Sequence, residues 1–223
     1  MVRKASTKCL VIIILLFCSQ VTMAQKRSVS FGNPSPISIP LGAYEPNTFE
    51  SLDALPGNIR SKVEGHLRDR FGSEFYSQLT FVAGAIIDVA GFLRVNRNRG
   101  KIHSYELVFK YADEGGGLKE YYARIRLDSN GDVLDEINLP HVSKHPLKAK
   151  IIPLIRAIEI GKEHGFTQRS MGIRIDYDKE AGSLLWIVES FVREDAYTST
   201  RRVLSIDAHS AAILKDTYQS GVK

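Results

Sequence analysis

The sequence predicts an α+β protein made of two tandem units, each a helix laid on an antiparallel sheet. Three observations carry this prediction. An apolar stripe with helical spacing occurs twice, each stripe is followed by segments in which apolar and polar residues alternate, and turn residues separate those segments. The first helix-plus-meander unit is expected over residues 56–140 and the second over residues 147–220.

The first helix is expected to begin near Pro56 and to end before Gly72, which suits the C′ position behind a helix. Its apolar residues recur at every fourth position, which places them on one face of the helix. These residues are Ile59, Val63, Leu67 and Phe71.

Strand-like segments follow the first helix. Tyr105 and Tyr121 begin two of them, and alternation places most of their aromatic residues in the core beneath the helix. Tyr122, which alternation places on the same side of its strand as Arg124 and Arg126, is expected on an exposed face. The segments are 80–95, 105–111, 121–127 and a short strand over 133–139, with a glycine-rich loop at 114–117 and a tight turn at 128–132.

Two prolines and two histidines punctuate residues 140–146, which are the candidate boundary between the units. Pro153 suits the first turn of the second helix, and His164 with Gly165 suits its end. Leu154, Ile155 and Ile158 are expected to face inward. Four strand-like segments follow, at 172–177, 183–192, 201–206 and 212–218.

The first 24 residues have the pattern of a signal peptide with cleavage between Ala24 and Gln25. A basic start precedes a short apolar run at residues 9–18, too short to span a bilayer. A lipoprotein with Cys18 as its lipidated residue is the alternative. The exported product is expected to be periplasmic or secreted, to begin with a proline-rich extended arm over residues 25–55, and to have no transmembrane segment.

Removal of the leader changes the net charge and the cysteine content of the exported protein. The sequence has 30 Lys and Arg and 25 Asp and Glu, and three of the basic residues are in the leader, so the mature net charge is +2. No long basic run remains, which argues against a nucleic-acid partner. Cys9 and Cys18 both leave with the leader, so neither a disulfide nor thiol chemistry is expected.

No metal, cofactor or catalytic motif is predicted. Asp128, Asn130 and Asp132 have the odd-position spacing of a calcium loop, but Val133 and Leu139 stand where that loop needs glycine and glutamate. A hairpin turn is therefore favoured there, and a solvated loop is favoured for the acidic residues at 176–180.

His141 and His145 are four residues apart, but prolines bracket them and a helical metal pair is not expected. The sequence also lacks the short motifs of nucleophilic, zinc-dependent or phosphate-binding enzymes, although a triad assembled only in space has no sequence signal. Trp186 lies in a run that is apolar on both faces, and core packing is favoured over a ligand platform.

The two predicted units resemble each other in their last turns. The strand at 124–128 matches the one at 203–207, each ends in Asp, and each turn precedes an aliphatic pair, at 133–134 and 213–214. The spacing from the Asp differs by one residue. An internal duplication is therefore a hypothesis of the sequence.

The C-terminal unit resembles a PepSY-type domain. The resemblance rests on the helix at 155–161 and on the strand end at 206–214, where Asp207 and the aliphatic pair match the family motif. Ser210 stands where threonine is usual, and Ala211 replaces a turn glycine. The resemblance covers about residues 56–220, with the first unit as a more divergent copy. It implies a cystatin-like shape and a role in inhibiting or modulating extracytoplasmic proteins, often peptidases, and it supplies no catalytic residues.

These observations predict an exported, non-enzymatic protein that binds a protein or peptide partner in the cell envelope, through sheet faces or edges. The arginines at 124, 126, 201 and 202 are expected to suit an acidic surface. Two alternatives stay open at this point: a secreted hydrolase with a scattered site, and a carrier of a small apolar ligand between helix and sheet.

Overall fold

The computed structural model describes residues 44–95, 102–167, 171–194 and 198–222. Over these ranges the chain is an α+β protein with two antiparallel sheets and three α-helices. The leader, its cleavage site and the arm as far as residue 43 lie outside the described residues. None of the described helices has both the length and the apolar character needed to cross a membrane.

The first sheet has five strands in the order β1-β2-β3-β4-β5, and every neighbouring pair is antiparallel. Helix α1 precedes its main strands and the short helix α2 follows β2. The elements are β1 (Asn47–Phe49), α1 (Gly57–Tyr76), β2 (Thr80–Ile86), α2 (Val89–Val95), β3 (Tyr105–Asp113), β4 (Leu118–Leu127) and β5 (Val133–Asp135), with a 3₁₀ turn at Leu52–Ala54.

The second sheet has four strands in the order β6-β7-β8-β9, again all antiparallel. A 3₁₀ turn at Pro146–Ala149 and helix α3 precede it. The elements are α3 (Leu154–Glu163), β6 (Met171–Asp178), β7 (Ser183–Glu194), β8 (Thr198–Asp207) and β9 (Ile213–Val222). Both halves therefore have a helix followed by a four-stranded meander, β2 to β5 in one and β6 to β9 in the other.

Helix α1 forms where its apolar stripe predicts it. Pro56 stands at its N-cap, and the stripe from Ile59 to Phe71 is buried against the first sheet. Gly72 does interrupt the helix, with φ 73° and ψ 161°, but one more helical turn follows it. That turn brings Phe75 into the core, where its ring lies 5.0 Å from the ring of Tyr111.

Four local expectations need correction. Residues 89–95 are helical rather than extended, because a short apolar run has no distinctive period. The strand expected over 133–139 ends at Asp135. Ile155 is 56% exposed, because the buried stripe of α3 runs through Leu154, Ala157 and Ile160 instead. Part of the expected arm, β1, pairs with β2 as an edge strand.

The last turns of the two halves have the same construction. The Asp128 N–H donates to the carbonyl of Asp132, and the Asp207 N–H donates to the carbonyl of Ala212, so the second turn is one residue longer. Each turn contains one left-handed residue, Gly131 with φ 81° and Ala211 with φ 63°.

A bulge follows each of these turns at the same place. Leu127 pairs with Val133 while Arg126 pairs with Asp135, which leaves Leu134 without a partner in the ladder. In the second half the corresponding bulge leaves out Leu214, because Ile206 pairs with Ile213 and Ser205 with Lys215. Both bulged leucines are exposed, and the aliphatic pairs noted in the sequence occupy equivalent positions.

The two halves share one main hydrophobic core. Its buried residues come from α1, the core face of the first sheet, the segment between the halves, α3 and the second sheet. The N–H of Leu154, at the start of α3, donates to the carbonyl of Gly116 in the loop of the first half at 2.8 Å. A side chain at Gly116 would place its Cβ 2.8 Å from Ile151. The close approach of this loop to the start of α3 therefore requires glycine.

Candidate functional site

An open groove lies between the first sheet and the second. Its volume is about 580 Å³, which falls in the range of about 300–1,000 Å³ typical of ligand pockets. Strands β4 and β5 and the residues just after them form one wall, and strand β6 with the start of its hairpin forms the other. The lining residues are Tyr121, Tyr122, Arg124, Arg126, Asp135, Glu136, Asn138, Arg174, Ile175, Asp176, Tyr177 and Lys179.

One wall of the groove contains an open strand edge. Strand β4 pairs with β3 along its length but with β5 only at Arg126 and Leu127, so no described strand covers the outer edge of β4 over residues 118–125. The side chain of Asn138 takes the place of a strand at one point, because its Oδ1 accepts the Arg124 N–H at 2.5 Å. Backbone groups alternate in direction along an edge, so the N–H of Tyr122 also points outward.

Asn138 is held in place by Tyr121. The amide nitrogen of Asn138 donates to the Tyr121 hydroxyl oxygen at 2.6 Å, and that hydroxyl donates to the Asn138 carbonyl at 3.1 Å. Burial is the main reason why the pKa of Tyr121 is raised, and the nearby Asp176 raises it further. The phenol therefore stays protonated and able to donate this hydrogen bond.

The opposite wall contains the second open edge. Strand β6 pairs only with β7 among the described strands, so its other edge borders the groove. The N–H of Tyr177 donates to Oδ1 of Asp176 at 2.8 Å, outside the ladder. By the same alternation the N–H of Ile175 points toward the groove. Two strand edges thus border one cavity, and each has one outward N–H bound by a side chain.

Both signs of charge line the groove, mostly in ion pairs. Lys179 Nζ lies 3.0 Å from Asp135 Oδ1, and Arg126 Nη1 lies 3.6 Å from the other oxygen of Asp135. Arg174 pairs with Glu189 at 2.8 Å. These pairs are largely solvent-accessible, so they contribute about 0–1 kcal/mol each to stability and can exchange partners when a ligand binds.

A buried carboxylate lies behind the arginines of the groove. Glu106 on β3 is fully buried, with Arg126 Nε at 3.0 Å, His103 Nε2 at 3.3 Å and Arg124 Nε at 3.9 Å from its oxygens. Burial works against the charged form, but hydrogen bonds from His103 and Arg126 outweigh it and lower the pKa of Glu106 to about 2. The carboxylate therefore stays ionised and holds the Arg126 guanidinium by a hydrogen bond.

Serine, histidine and aspartate do come together in space, but they do not form a catalytic triad. Ser183 Oγ donates directly to Asp207 Oδ2 at 2.7 Å. His209 binds backbone groups with both ring nitrogens: Nε2 accepts the Leu184 N–H at 3.3 Å, and Nδ1 lies 2.8 Å from the Lys150 carbonyl. His209 therefore makes no hydrogen bond to the serine hydroxyl, whereas a catalytic triad requires that contact.

The three carboxyl groups with a shifted pKa are not suited to act as a general acid. Such an acid needs a raised pKa, whereas every carboxyl pKa with a resolved shift among the described residues is lowered. For Asp207, burial opposes the lowering, and hydrogen bonds from Ser183, His209 and Ser210 outweigh it. For Asp216, the hydrogen bond from Arg202 is the main cause. The third such group is Glu106.

The residues tested for metal binding have other roles. Asp128 Oδ1 accepts the backbone N–H groups of Asn130 and Asp132, as a turn requires, and Asp132 pairs with Lys62 at 2.9 Å. The N–H of His145 donates to the carbonyl of His141 inside a turn. Within the described ranges, no three His, Cys, Asp or Glu side chains are grouped in a way that could hold a metal ion.

A second cleft of about 720 Å³ lies beside the end of α1. The loop after β3 and the segment between the halves complete its walls. Phe71, Phe75 and Tyr111 border it, but they are at most 3% exposed. The cleft is also lined by polar residues, such as Ser73 and Glu74, and by apolar residues, such as Val142, Ala149 and Ile151.

The other residues noted in the sequence do not form a site together, because they lie in different parts of the structure. Tyr122 is partly exposed, lines the groove and donates its hydroxyl to Glu120 at 3.0 Å. Trp186 is buried in the core, 1% exposed. Arg201 lies over the ring of Phe191 at 5.0 Å, on the second sheet rather than in the groove.

Sequence reasoning missed Glu106 and Asn138, although both shape the groove. Alternation assigns Glu106 to an outward position, and only the arginines two and four residues before the turn at Asp128 hint that a counter-charge is needed. Asn138 follows a short strand in a polar segment, and nothing in its neighbourhood marks it as a cap on another strand.

A comparison with protein-family models, with curated proteins and with solved structures found no match to this chain. The PepSY resemblance therefore rests on the sequence alone, at the helix over 155–161 and the strand end over 206–214. The groove and the fold supply the remaining grounds for a functional assignment.

Proposed function

We propose that the chain is an exported, non-enzymatic binding protein that holds an extended segment of an envelope partner in the groove between its two sheets. The observation that carries the proposal is the pair of open edges, β4 and β6, that border one cavity. An extended peptide binds such an edge through backbone hydrogen bonds, and neighbouring side chains select its sequence.

The geometry favours a peptide over a small molecule. The outward N–H groups of Tyr122 and Ile175 offer main-chain donors on the two walls, which match the alternating groups of an extended chain. Tyr122 and Tyr177 supply flat contact surfaces beside them, and Arg124, Arg174 and Lys179 supply charges that can pair with the partner's side chains.

Both halves contain a helix followed by four antiparallel strands, with matching last turns and bulges, although the first half also contains β1 and α2. This shared order supports an internal duplication of a PepSY-like unit. On this proposal the segment between the units brings the last long strand of the first sheet beside the first strand of the second. The binding site then arises from the duplication itself. The modulated partner would be an extracytoplasmic protein, with a peptidase as the class that the resemblance favours.

The experiment uses a displayed library of random peptides, from which binders are selected and their dissociation constants measured by fluorescence anisotropy. Tyr122→Pro removes the outward N–H from the β4 edge, where proline is tolerated. Tyr122→Phe keeps that N–H and is the matched control. We expect Tyr122→Pro to weaken binding at least tenfold and Tyr122→Phe to leave it within about twofold.

Thermal unfolding of both variants checks that the first sheet is intact. Selection of no binding peptide at all would overturn the proposal. Equal affinity of the selected peptides for the folded Tyr122→Pro variant and for the original protein would also overturn it, because binding would then not use the β4 edge.

A further inference from the structure

The far edge of the second sheet is a long, open strand. Strand β9 runs for ten residues, Ile213–Val222, and pairs with β8 on one side only, since no described strand lies on its other side. Its side chains are largely exposed, Leu214 by 50% and Tyr218 by 65%. It contains no proline, and its only charged residues are Lys215 and Asp216.

Each of the other sheet edges is short or partly occupied. Strand β1 and strand β5 have three residues each, and β6 borders the groove with Asp176 bound to one of its N–H groups. Proteins protect their edges with short strands and charges because an open edge pairs with other chains. On β9, Asp216 accepts two hydrogen bonds from Arg202, at 3.0 and 2.6 Å, so this charge is already paired.

We infer that β9 pairs antiparallel with β9 of a second copy of this chain, about a twofold axis through Tyr218. The two four-stranded sheets then form one continuous eight-stranded sheet. A twofold axis makes the contact isologous, so the strand must be complementary to itself. The sequence of β9 meets this requirement. The axis places Tyr218 opposite Tyr218, Thr217 opposite Gln219, Asp216 opposite Ser220 and Lys215 opposite Gly221.

This register avoids like charges in directly opposed positions, which destabilise a pair of strands. An axis through Asp216 or through Lys215 would place two equal charges face to face. The central Tyr218 pair adds the aromatic contact that stabilises cross-strand neighbours. The charges thus exclude the axes through Lys215 and Asp216, and the aromatic pair favours the axis through Tyr218 for a second copy at this edge.

The predicted interface is small. One pair of ten-residue strands buries less than the roughly 1,200 Å² typical of stable protein complexes. We therefore expect a reversible dimer with a dissociation constant on the order of micromolar, which sedimentation velocity can follow between about 1 and about 100 μM.

The first test compares Tyr218→Lys with Leu147→Lys, a control on the 90% exposed Leu147 far from β9 in the sequence. A lysine at the centre of the edge opposes its counterpart and should weaken dimerisation at least tenfold, whereas the control should dimerise like the original protein. Sedimentation as a monomer at every concentration overturns the inference. Dimerisation of Tyr218→Lys with unchanged affinity also overturns it.

The second test fixes the register and does not depend on how substitutions affect stability. In a chain with Cys9→Ser and Cys18→Ser, single cysteines are placed at 217, 218 and 219 and exposed to mild oxidant. Only a residue at the axis faces its own copy at the 4.5–5.5 Å between opposed Cα atoms that permits a disulfide. Tyr218→Cys should therefore cross-link most, and a stronger cross-link at 217 or 219 overturns the proposed register.

These tests are independent of the groove. Neither substitution touches β4 or β6, so a monomeric protein can still bind peptides, and a protein without peptide binding can still dimerise.

Discussion

Each half has a glutamate on the second strand of its meander, and the two glutamates differ in burial. Glu106 on β3 and Glu189 on β7 each lie on the second strand of a four-stranded meander, and each contacts an arginine on the following strand. Glu106 is fully buried, whereas the side chain of Glu189 is 27% exposed. The same ion pair is therefore a fixed part of the interior in the first half and a solvated pair in the second.

The comparison shows what holds the groove. Arg124 and Arg126 reach the groove from β4, and Glu106 holds Arg126 from behind. Arg174, on the opposite wall, is instead bound by a partly accessible partner, Glu189. One wall is thus rigid and charged, and the other can change its pairing. Substitutions at matched positions in the two halves test this difference.

Glu106→Gln should have the largest effect. The pKa of Glu106 is lowered from 4.5 to about 2, and a shift of this size corresponds to about 3 kcal/mol of stability at neutral pH. The same substitution at Glu189 should cost less than about 1 kcal/mol, because exposed pairs contribute little. Urea unfolding at neutral pH measures both, and equal losses would contradict the comparison.

The acid dependence of the same pair has a defined sign. Because folding lowers the pKa of Glu106, its contribution is complete above the ordinary pKa of 4.5 and is lost as the pH falls toward about 2. The original protein should therefore lose stability over this interval more steeply than Glu106→Gln. Parallel curves for the two proteins between neutral pH and about pH 2 would show that Glu106 is not held ionised.

Asp207→Ala should have the second largest effect, about 2 kcal/mol, because it removes three or more hydrogen bonds and leaves the buried hydroxyl of Ser183 without a partner. Asp128→Ala, in the corresponding turn, removes two hydrogen bonds to exposed backbone groups and should cost about 1 kcal/mol. Chemical unfolding compares the two.

A double variant, Ser183→Ala with Asp207→Ala, sharpens that comparison. Removing both partners of a buried hydrogen bond costs less than stranding one of them. The double variant should therefore be no less stable than Asp207→Ala alone. A further loss on adding Ser183→Ala would mean that the serine stabilises the protein through another contact.

The last comparison concerns the left-handed residues of the two turns. Ala211 has φ 63°, so Ala211→Gly should stabilise the protein by about 0.5 kcal/mol after the entropy cost of glycine. Gly131→Ala should destabilise it by about 1–2 kcal/mol, because φ is 81° and the new Cβ would lie 3.0 Å from Ile59. Thermal unfolding detects both effects, and a lower melting temperature for Ala211→Gly or a higher one for Gly131→Ala would refute the equivalence of the turns.

Much of the fold was predictable because it depends on local pattern. The stripe of α1, the start of α3 at Pro153 and the turn at Asp128 each follow from residues within one element, and the structure confirms them. Helix α2 was missed because a seven-residue apolar run suits a strand as well as a helix. Ile155 was misplaced because two adjacent aliphatic residues leave the buried face of a helix undecided.

The groove was not predictable for a different reason. It joins β4 to β6, about 50 residues apart, and no periodicity records which strand edges meet. The burial of Glu106 likewise depends on contacts from outside its own strand. Such features arise from tertiary packing, so the residues concerned carry no local signature.

The single tryptophan gives the molecule an internal fluorescent probe. Trp186 is 1% exposed, and its indole nitrogen donates to the carbonyl of Ile152 at 3.2 Å, in the segment that connects the two sheets. Its emission spectrum should shift to longer wavelength as soon as that connection opens to water. Intrinsic fluorescence therefore needs no added label to show whether the two halves separate before either half unfolds.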